Sequence, residues 1–256
     1  MSNPWALYDN LIDAIDASAK VSDYQVGNIW TRVTADDGTS GVAMTTDVRT
    51  RPSISTESLI GRPLREAAML VRSWNLAEAG IGVAAINAWH NHPGRIPSCG
   101  YRFPENTEGT EGAFDTYAEL VQGKKVATIG HFRFIENRFE GVGELCIIER
   151  RPRDNDYPDT ASEYILPEQD FVFITGSTLV NKTLPRLLEL SQDAYVVLTG
   201  PSSTMSPILY DYGVNGLSGL VCTNPEHLTE ILRGTGRGFP SAAGTMVDFA
   251  KVKPEL

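Results

Sequence analysis

The 256-residue chain is 41 % hydrophobic and 21 % charged, with a mean hydropathy of −0.18, the composition of an ordinary soluble globular protein. A formal net charge of −10 and an isoelectric point near 4.9 argue against a nucleic-acid partner, because that binding depends on Lys and Arg meeting phosphates. No run reaches the roughly 18 uninterrupted apolar residues of a membrane span, the start "MSNPWALYDNLIDAID" lacks the basic lead of a signal peptide, and the scattered Cys99, Cys146 and Cys222 suit a reduced, cytoplasmic protein.

In chain order, Trp5, Tyr8, Ile12, Ile15 and Ala19 keep helical spacing and predict an amphipathic opening helix. The β-rich runs "YQVGNIWTRVTA" and "GVAMTTDV" follow, joined by "DDGTS", whose Asp-Gly marks a hairpin. Pro63 opens a second helix with Leu64, Ala67, Ala68, Val71 and Trp74 on one side. A third helix, "NLAEAGIGVAAINAW", carries a capping pair in Asn75 and Glu78. It is small or apolar on every side and so is expected to be buried, with Gly80 and Gly82 implying close approach of another backbone. Residues 91–122 read as a loop with a short helix around "AFDTYAELV", and the domain boundary is placed there, giving an α+β unit over 1–120 and an α/β unit over 121–256.

From Lys124 the pattern alternates. The strands are "KVATIGHF", "ELCIIER", "DFVFITG", "AYVVLTG" and "GLSGLVCT"; helices over "LPRLLELS", "SPILYDYG" and "PEHLTEILRG" follow the last three. Apolar strands separated by helices indicate a mostly parallel sheet covered on both faces. Ligands of such sheets sit beyond the carboxyl ends of the strands. Those ends here are glycines, hydroxyls and amides, with Gly130, Gly176 and Gly200 allowing a ligand close to the backbone. Capped helix starts at Ser206-Pro207 and Asn224-Pro225 add N–H donors suited to a negative group. The two Thr-Gly breaks, at 175–176 and 199–200, are therefore expected to line one ligand site.

His131 follows Gly130, and Glu149 lies about the ~20 residues further on at which a dinucleotide site places its ribose-binding acid. The segment "GHFRFIEN" lacks the other glycines of a pyrophosphate-binding turn, and His131 suits a metal or a proton shuttle equally well. Asn87 is the polar exception in an apolar helix; it either fastens the two domains or faces the site. His90, His92 and Cys99 could hold zinc, although a closed site needs a fourth ligand and their spacing fits no standard motif. There is no Gly-x-Ser-x-Gly elbow and no phosphate-binding loop.

The stretches "GIGVAAINA", "TIGHF", "ITGSTLVNKTLPRLLEL" and "LTGPSSTMSPILYDYGVNGLSGLVCTNPE" resemble a family of prokaryotic proteins described as "putative heavy-metal chelation". The resemblance covers most of residues 75–235 and is most specific from Leu166 to Pro225. It implies an enolase N-terminal-like domain ahead of a Rossmann-like domain, with a site at their junction. The positions carried over are Asn87, Gly130, His131, Phe132, Glu149, Thr175, Gly176, Ser177, Thr178, Asn181 and Thr183, followed by Gly200, Pro201, Ser202, Ser203 and Pro207. The chain departs from the family by a longer His- and Cys-bearing insert at 90–112.

Three functions stand open on these residues. One is a small-ligand-binding protein whose junction cleft holds a transition metal ion or a metal-chelating anion, with His131 and Glu149 as metal ligands. Another is an enzyme acting on a nucleotide-like or phosphorylated small molecule, with Glu149 on a ribose and His131 as acid or base. The third is a scaffold with a vestigial cleft. A homodimer is the default assembly, isologous pairing being the commonest.

Overall fold

The computed structural model describes residues 3–46, 50–104, 112–132, 135–234 and 238–254. The end of the expected "GVAMTTDV" strand and residues 105–111 of the expected 91–122 loop lie outside the described residues. The chain opens with α1 (Ala6–Asp13), β1 (Val21–Val26), β2 (Trp30–Ala35) and β3 (Ser40–Met44), and the three strands form an antiparallel sheet in that order. The Asp-Gly hairpin is present: Thr34 pairs with Ser40, and Gly38 takes a φ of +86°, which L side chains rarely adopt. Next come α2 (Leu64–Met69) and α3 (Leu76–His90).

Asn75 caps α3 as its position predicts, accepting from the Ala77 and Glu78 N–H groups at 3.1 and 3.4 Å. Glu78 does not reciprocate. Its carboxylate is drawn instead to the 53–55 loop, accepting from the Ile54 and Ser55 N–H groups at 2.8 Å each. The helix is buried all round, as its composition requires, between the small sheet, α2 and the second unit. Gly82 meets the expected close backbone, since a Cβ there would lie 2.0 Å from Val71 N. Gly80 has ordinary room, its nearest neighbour being Thr31 Oγ1 at 3.7 Å. The tighter approach on the facing side is made by Gly41 of β3, whose Cβ would lie 2.1 Å from Ala88 N.

The second sheet contains β4 (Tyr101–Arg102), β5 (Lys125–Ile129), β6 (Glu144–Glu149), β7 (Tyr157–Pro158), β8 (Phe171–Thr175), β9 (Tyr195–Thr199), β10 (Gly216–Cys222) and β11 (Gly244–Ala250). Their order is β4-β11-β10-β9-β8-β5-β6-β7, parallel from β7 through β10, with β11 antiparallel to β10 and β4 antiparallel to β11. The mixed α/β fold with a mostly parallel sheet is thus the predicted one. The helices are α4 (Ala113–Thr116), α5 (Ile135–Arg138), α6 (Ser162–Ile165), α7 (Ser177–Asn181), α8 (Leu184–Leu190) and α9 (Pro225–Arg233). The segment Pro207–Tyr212 winds as a 3-10 helix where an α-helix was expected, and β11 was not foreseen. Val172, Phe173, Ile174, Val197 and Leu198 are wholly buried, which explains the unbroken apolar runs. An aromatic cluster of Phe114, Tyr117, Phe139 and Phe173 covers one face. Strand β4 and helix α4 therefore belong with the large sheet although they precede residue 121, where the expected α/β unit begins. No helix of the described residues is long and apolar enough to cross a membrane.

The two units are fastened by amides. Asn87 Nδ2 donates to Val42 O at 2.9 Å and Ser202 O at 3.0 Å, and Thr204 Oγ1 donates to Asn87 Oδ1 at 2.6 Å. One turn on, Asn91 Nδ2 donates to Ser203 O and Leu220 O at 3.0 Å each, and the Met205 N–H donates to Asn91 Oδ1 at 2.8 Å. Both asparagines are buried. Removing the Asn87 amide strands three buried partners, a loss of about 3 kcal/mol. For a chain of this size, Asn87→Ala is expected to lower the melting temperature by roughly 6–12 °C in a calorimetric scan.

Beside these asparagines on α3, His90 ties the helix to α1, its Nε2–H donating to Leu11 O at 2.9 Å. Burial holds this imidazole down at about 4, against an ordinary 6.5. The unfolded chain therefore takes up the proton first, and falling pH between those two values favours unfolding. The stability lost across that window amounts to about 3 kcal/mol. Urea titrations of wild type and His90→Gln at pH values spanning the window are expected to show a steeper acid loss in the wild type; parallel curves would remove His90 from the account.

Candidate functional site

From β5 the chain moves one way in the sheet to β6 and β7, then returns to lay β8 on the other side of β5. Beyond the carboxyl ends of β5 and β8 the connections diverge, which is where an open parallel sheet makes a crevice. A hollow of about 500 Å³ lies there. Its floor is apolar, from Ile129, Ile148, Leu187 and Leu190, and Met44 of β3 is the contribution of the small sheet. Of the expected residues, Gly130, His131, Phe132, Glu149, Thr175, Ser177, Thr178, Asn181 and Thr183 line it.

The second Thr-Gly break does something else. Gly200, Pro201, Ser202 and Ser203 do not line the hollow, and neither do Asn87 and Gly176. A Cβ on Gly176 would lie 2.3 Å from Ser203 N, so its bareness admits a neighbouring chain segment, not a ligand. Gly200 turns the chain at a φ of +103°, and Ser202 Oγ accepts the Met44 N–H at 2.9 Å. The expectation that both breaks line one site is corrected accordingly: the first forms the crevice wall, while the second is gripped by Asn87 and Asn91.

His131 is held at three points. Its N–H donates to Glu149 Oε2 at 3.0 Å, and its Nδ1 lies 2.9 and 3.0 Å from the two oxygens of Asp156, a carboxylate only 4 % exposed. A carboxylate only accepts, so in the neutral ring Nδ1 carries the proton and Nε2 presents the lone pair. Nε2 lies 3.7 Å from Glu136 Oε1, beyond hydrogen-bond reach. The Phe132 ring packs edge-on against Phe114 with centroids 4.8 Å apart, fixing the turn.

Glu149, expected as a second metal ligand, is engaged with the backbone. Its Oε1 accepts the Arg151 N–H at 3.1 Å while Oε2 takes that of His131, so the carboxylate pins the ends of β5 and β6 together. On the β8 side, the Thr175 and Ser177 hydroxyls are 3.1 Å apart, and Asn181 Oδ1 accepts from Thr183 N–H and Oγ1 at 3.1 and 2.6 Å. At the rim, Arg186 grips Glu163 through Nε and a terminal nitrogen at 3.0 and 2.6 Å, and Arg150 Nε donates to Asp159 at 3.4 Å.

Sequence reasoning missed Asp156, Asp159, Thr160, Ser162 and Glu163, all from the connection between β6 and β8. The stretch "PRDNDYPDTASEY" has no periodicity to betray them. The only available signal was general: a histidine set at a strand tip wants a carboxylate.

The other metal expectation dissolves into local structure. His90 faces Leu11 O, His92 Nδ1 accepts the Gly94 N–H at 2.9 Å, and Cys99 is fully buried. Among the described residues, no group of three or more His, Cys, Asp or Glu side chains is arranged to hold a metal ion. Burial pushes the Cys99 thiol up to about 12 and the Cys146 thiol up to about 11, and raises that of Cys222. The thiolate is the metal-binding form, so these sulfurs are poor ligands for a heavy metal.

The role of Asp156 is checked by long-range ¹H–¹⁵N correlation of the His131 ring under alkaline conditions, where a free imidazole is neutral. The expected wild-type pattern is protonation at Nδ1, giving way in Asp156→Ala to a mixture that includes the Nε2-protonated ring. An unchanged pattern would show that Asp156 does not set the tautomer.

The profile of a protein family described as "Putative heavy-metal chelation", DUF364, matches residues 112–248, and that of DUF4213, with the same description, matches residues 8–90. The structure is similar to that of a protein of unknown function from the DUF364 family of Desulfitobacterium hafniense DCB-2, with a TM-score of 0.89, 35 % identity, and coverage of 98 % of this chain and 100 % of that one. A second DUF364 protein of unknown function, from Pyrococcus horikoshii, aligns with a TM-score of 0.77 at 25 % identity over 95 % of this chain and 98 % of its own. An uncharacterized protein of Methanocaldococcus jannaschii is 29 % identical over 215 residues, 78 % of each chain. A profile matching more than half of the residues, together with a relative alike along nearly the whole chain, means that this protein belongs to the DUF364 family.

Proposed function

We propose that the chain is a binding protein for a small organic ligand held in the crevice between the ends of β5 and β8, and that heavy metal reaches it as a complex with that ligand. The observation that carries this reading is the contrast between the hollow and its donors. About 500 Å³ of space is of the size that encloses small organic molecules. Against that volume stands one imidazole lone pair, on His131 Nε2, and no three-donor group among the described residues. A bare ion would leave most of the hollow unfilled and most of its coordination to water. A chelator would bring the missing donors, lay its apolar part on Ile129, Ile148, Leu187 and Leu190, and meet the hydroxyls of Thr175, Ser177 and Thr178 with its polar edge. Asp156 behind the ring is the arrangement by which proteins orient a ligating histidine.

The nucleotide reading depends on Glu149 recognising a ribose. Both oxygens of that carboxylate already accept backbone N–H groups, and only Gly130 of the three strand-end glycines borders the hollow. The organic-chelate reading is accordingly preferred.

Native mass spectrometry with elemental analysis tests it on protein purified without added chelators. Wild type is expected to carry an organic adduct and a metal together. Ser177→Phe, which fills the hollow, is expected to lose both. His131→Ala is expected to keep the organic adduct while its metal affinity falls by about tenfold or more. Metal binding to adduct-free protein that is indifferent to both substitutions would overturn the proposal.

A further inference from the structure

We infer that the connection from Arg150 to Ile165 is a lid on the crevice, and that Asp156 couples the seating of this lid to the readiness of His131 as a donor. The inference concerns regulation of the proposed site and rests on that reading only in taking His131 as the group that meets the ligand.

The lid is built to move. It supplies Asp159, Thr160, Ser162 and Glu163 to the crevice wall, whereas the remaining walls come from strand ends and helices of the packed body. Only Tyr157 and Pro158 pair with the sheet, at its outer edge. Little apolar surface is buried along it before Ile165, which packs against the core: Tyr164 is 82 % and Tyr157 45 % exposed, and the first fully buried apolar side chain beyond it is Leu166. A segment with so few buried contacts has low local stability.

Among the described residues, two side-chain clasps hold it to the packed body. The outer one is the pairing of Glu163 with Arg186 of α8, which Glu189 supports from α8 itself with its Oε2 3.0 Å from Arg186. The inner one is Asp156 on His131 Nδ1, with the Arg153 N–H on Asp156 Oδ2 at 3.0 Å turning the carboxylate inward. Asp156 is thus a positioning residue carried on the moving part, 25 residues from the histidine it orients. With the lid seated, Nδ1 keeps the proton and Nε2 offers its lone pair to the crevice. With the lid lifted, Nδ1 loses its acceptor and the ring is released to either tautomer. Coupling of this kind is reciprocal, so whatever engages Nε2 holds the lid down.

The test needs no ligand. Glu163→Lys sets two cations against each other at the outer clasp without touching His131; Glu189→Lys, which perturbs Arg186 from α8 and leaves the lid's own carboxylate in place, is the control. Amide hydrogen exchange and the His131 ring ¹⁵N shifts are measured on both and on wild type. In Glu163→Lys, exchange across 151–165 is expected to rise roughly fivefold or more, with β5 and β8 unchanged. The ring shifts are expected to move toward those of free imidazole, and to do so more than in the control. Faster lid exchange with unmoved ring shifts would overturn the coupling, and unchanged exchange would overturn the lid. Either failure leaves the organic-chelate proposal standing, because no ligand enters the measurement.

Discussion

The arrangement of the whole molecule hangs on two buried carboxamides. Asn87 and Asn91 are four residues apart and so project from the same side of α3. The turn after β9 comes to that side with its carbonyls at 202 and 203 and its N–H at 205 cut off from water. Buried backbone groups must be paired, and apolar residues at these two positions would leave several of them bare. An amide offers two donors and an acceptor on one small head, which is what a turn with both kinds of group demands. Gly176 has to be bare for the same reason, since the captured turn runs across it.

This fastening accounts for how the carboxyl edge is shared. Three neighbouring strands end in polar, glycine-bearing tips, but one of them is spent on holding α3 and the small sheet. The hollow therefore forms at the other two, β5 and β8, where the chain changes direction in the sheet. Met44 marks the boundary between these uses: its N–H is taken by Ser202 in the fastening, while the residue also borders the hollow.

At the hollow, carboxylates act mainly on their own protein. Glu149 fixes the backbone of His131, Asp156 fixes its ring, and Glu163 fixes Arg186. The proposed organic ligand rests on what the described lining otherwise offers: the His131 Nε2 lone pair, a row of hydroxyls and an apolar floor. The three cysteines, which would otherwise be the natural ligands of a soft metal, are buried where ionisation is unfavourable.

Local periodicity determined a good deal. The amphipathic first helix as far as Asp13, though not on to Ile15 and Ala19, the Asp-Gly hairpin, the Asn75 cap and the five apolar strands of the large sheet are all written within a few residues of themselves, because helices and strands impose spacings of 3.6 and 2 on neighbouring side chains. The polar character of the strand ends followed from the same reading, and the hollow lies at that edge. Periodicity could not reveal which tip borders the hollow and which meets another chain segment, since Gly176 and Gly130 look alike until the strand order places Ser203 over one and leaves the other beside the hollow. Nor could it join His131 to Asp156, a pairing made across an aperiodic connection of exposed residues. Such partners are chosen by the order of strands in the sheet and by which segment crosses its edge. That selection takes place only when the chain has packed, because burial is what removes water as the competing partner.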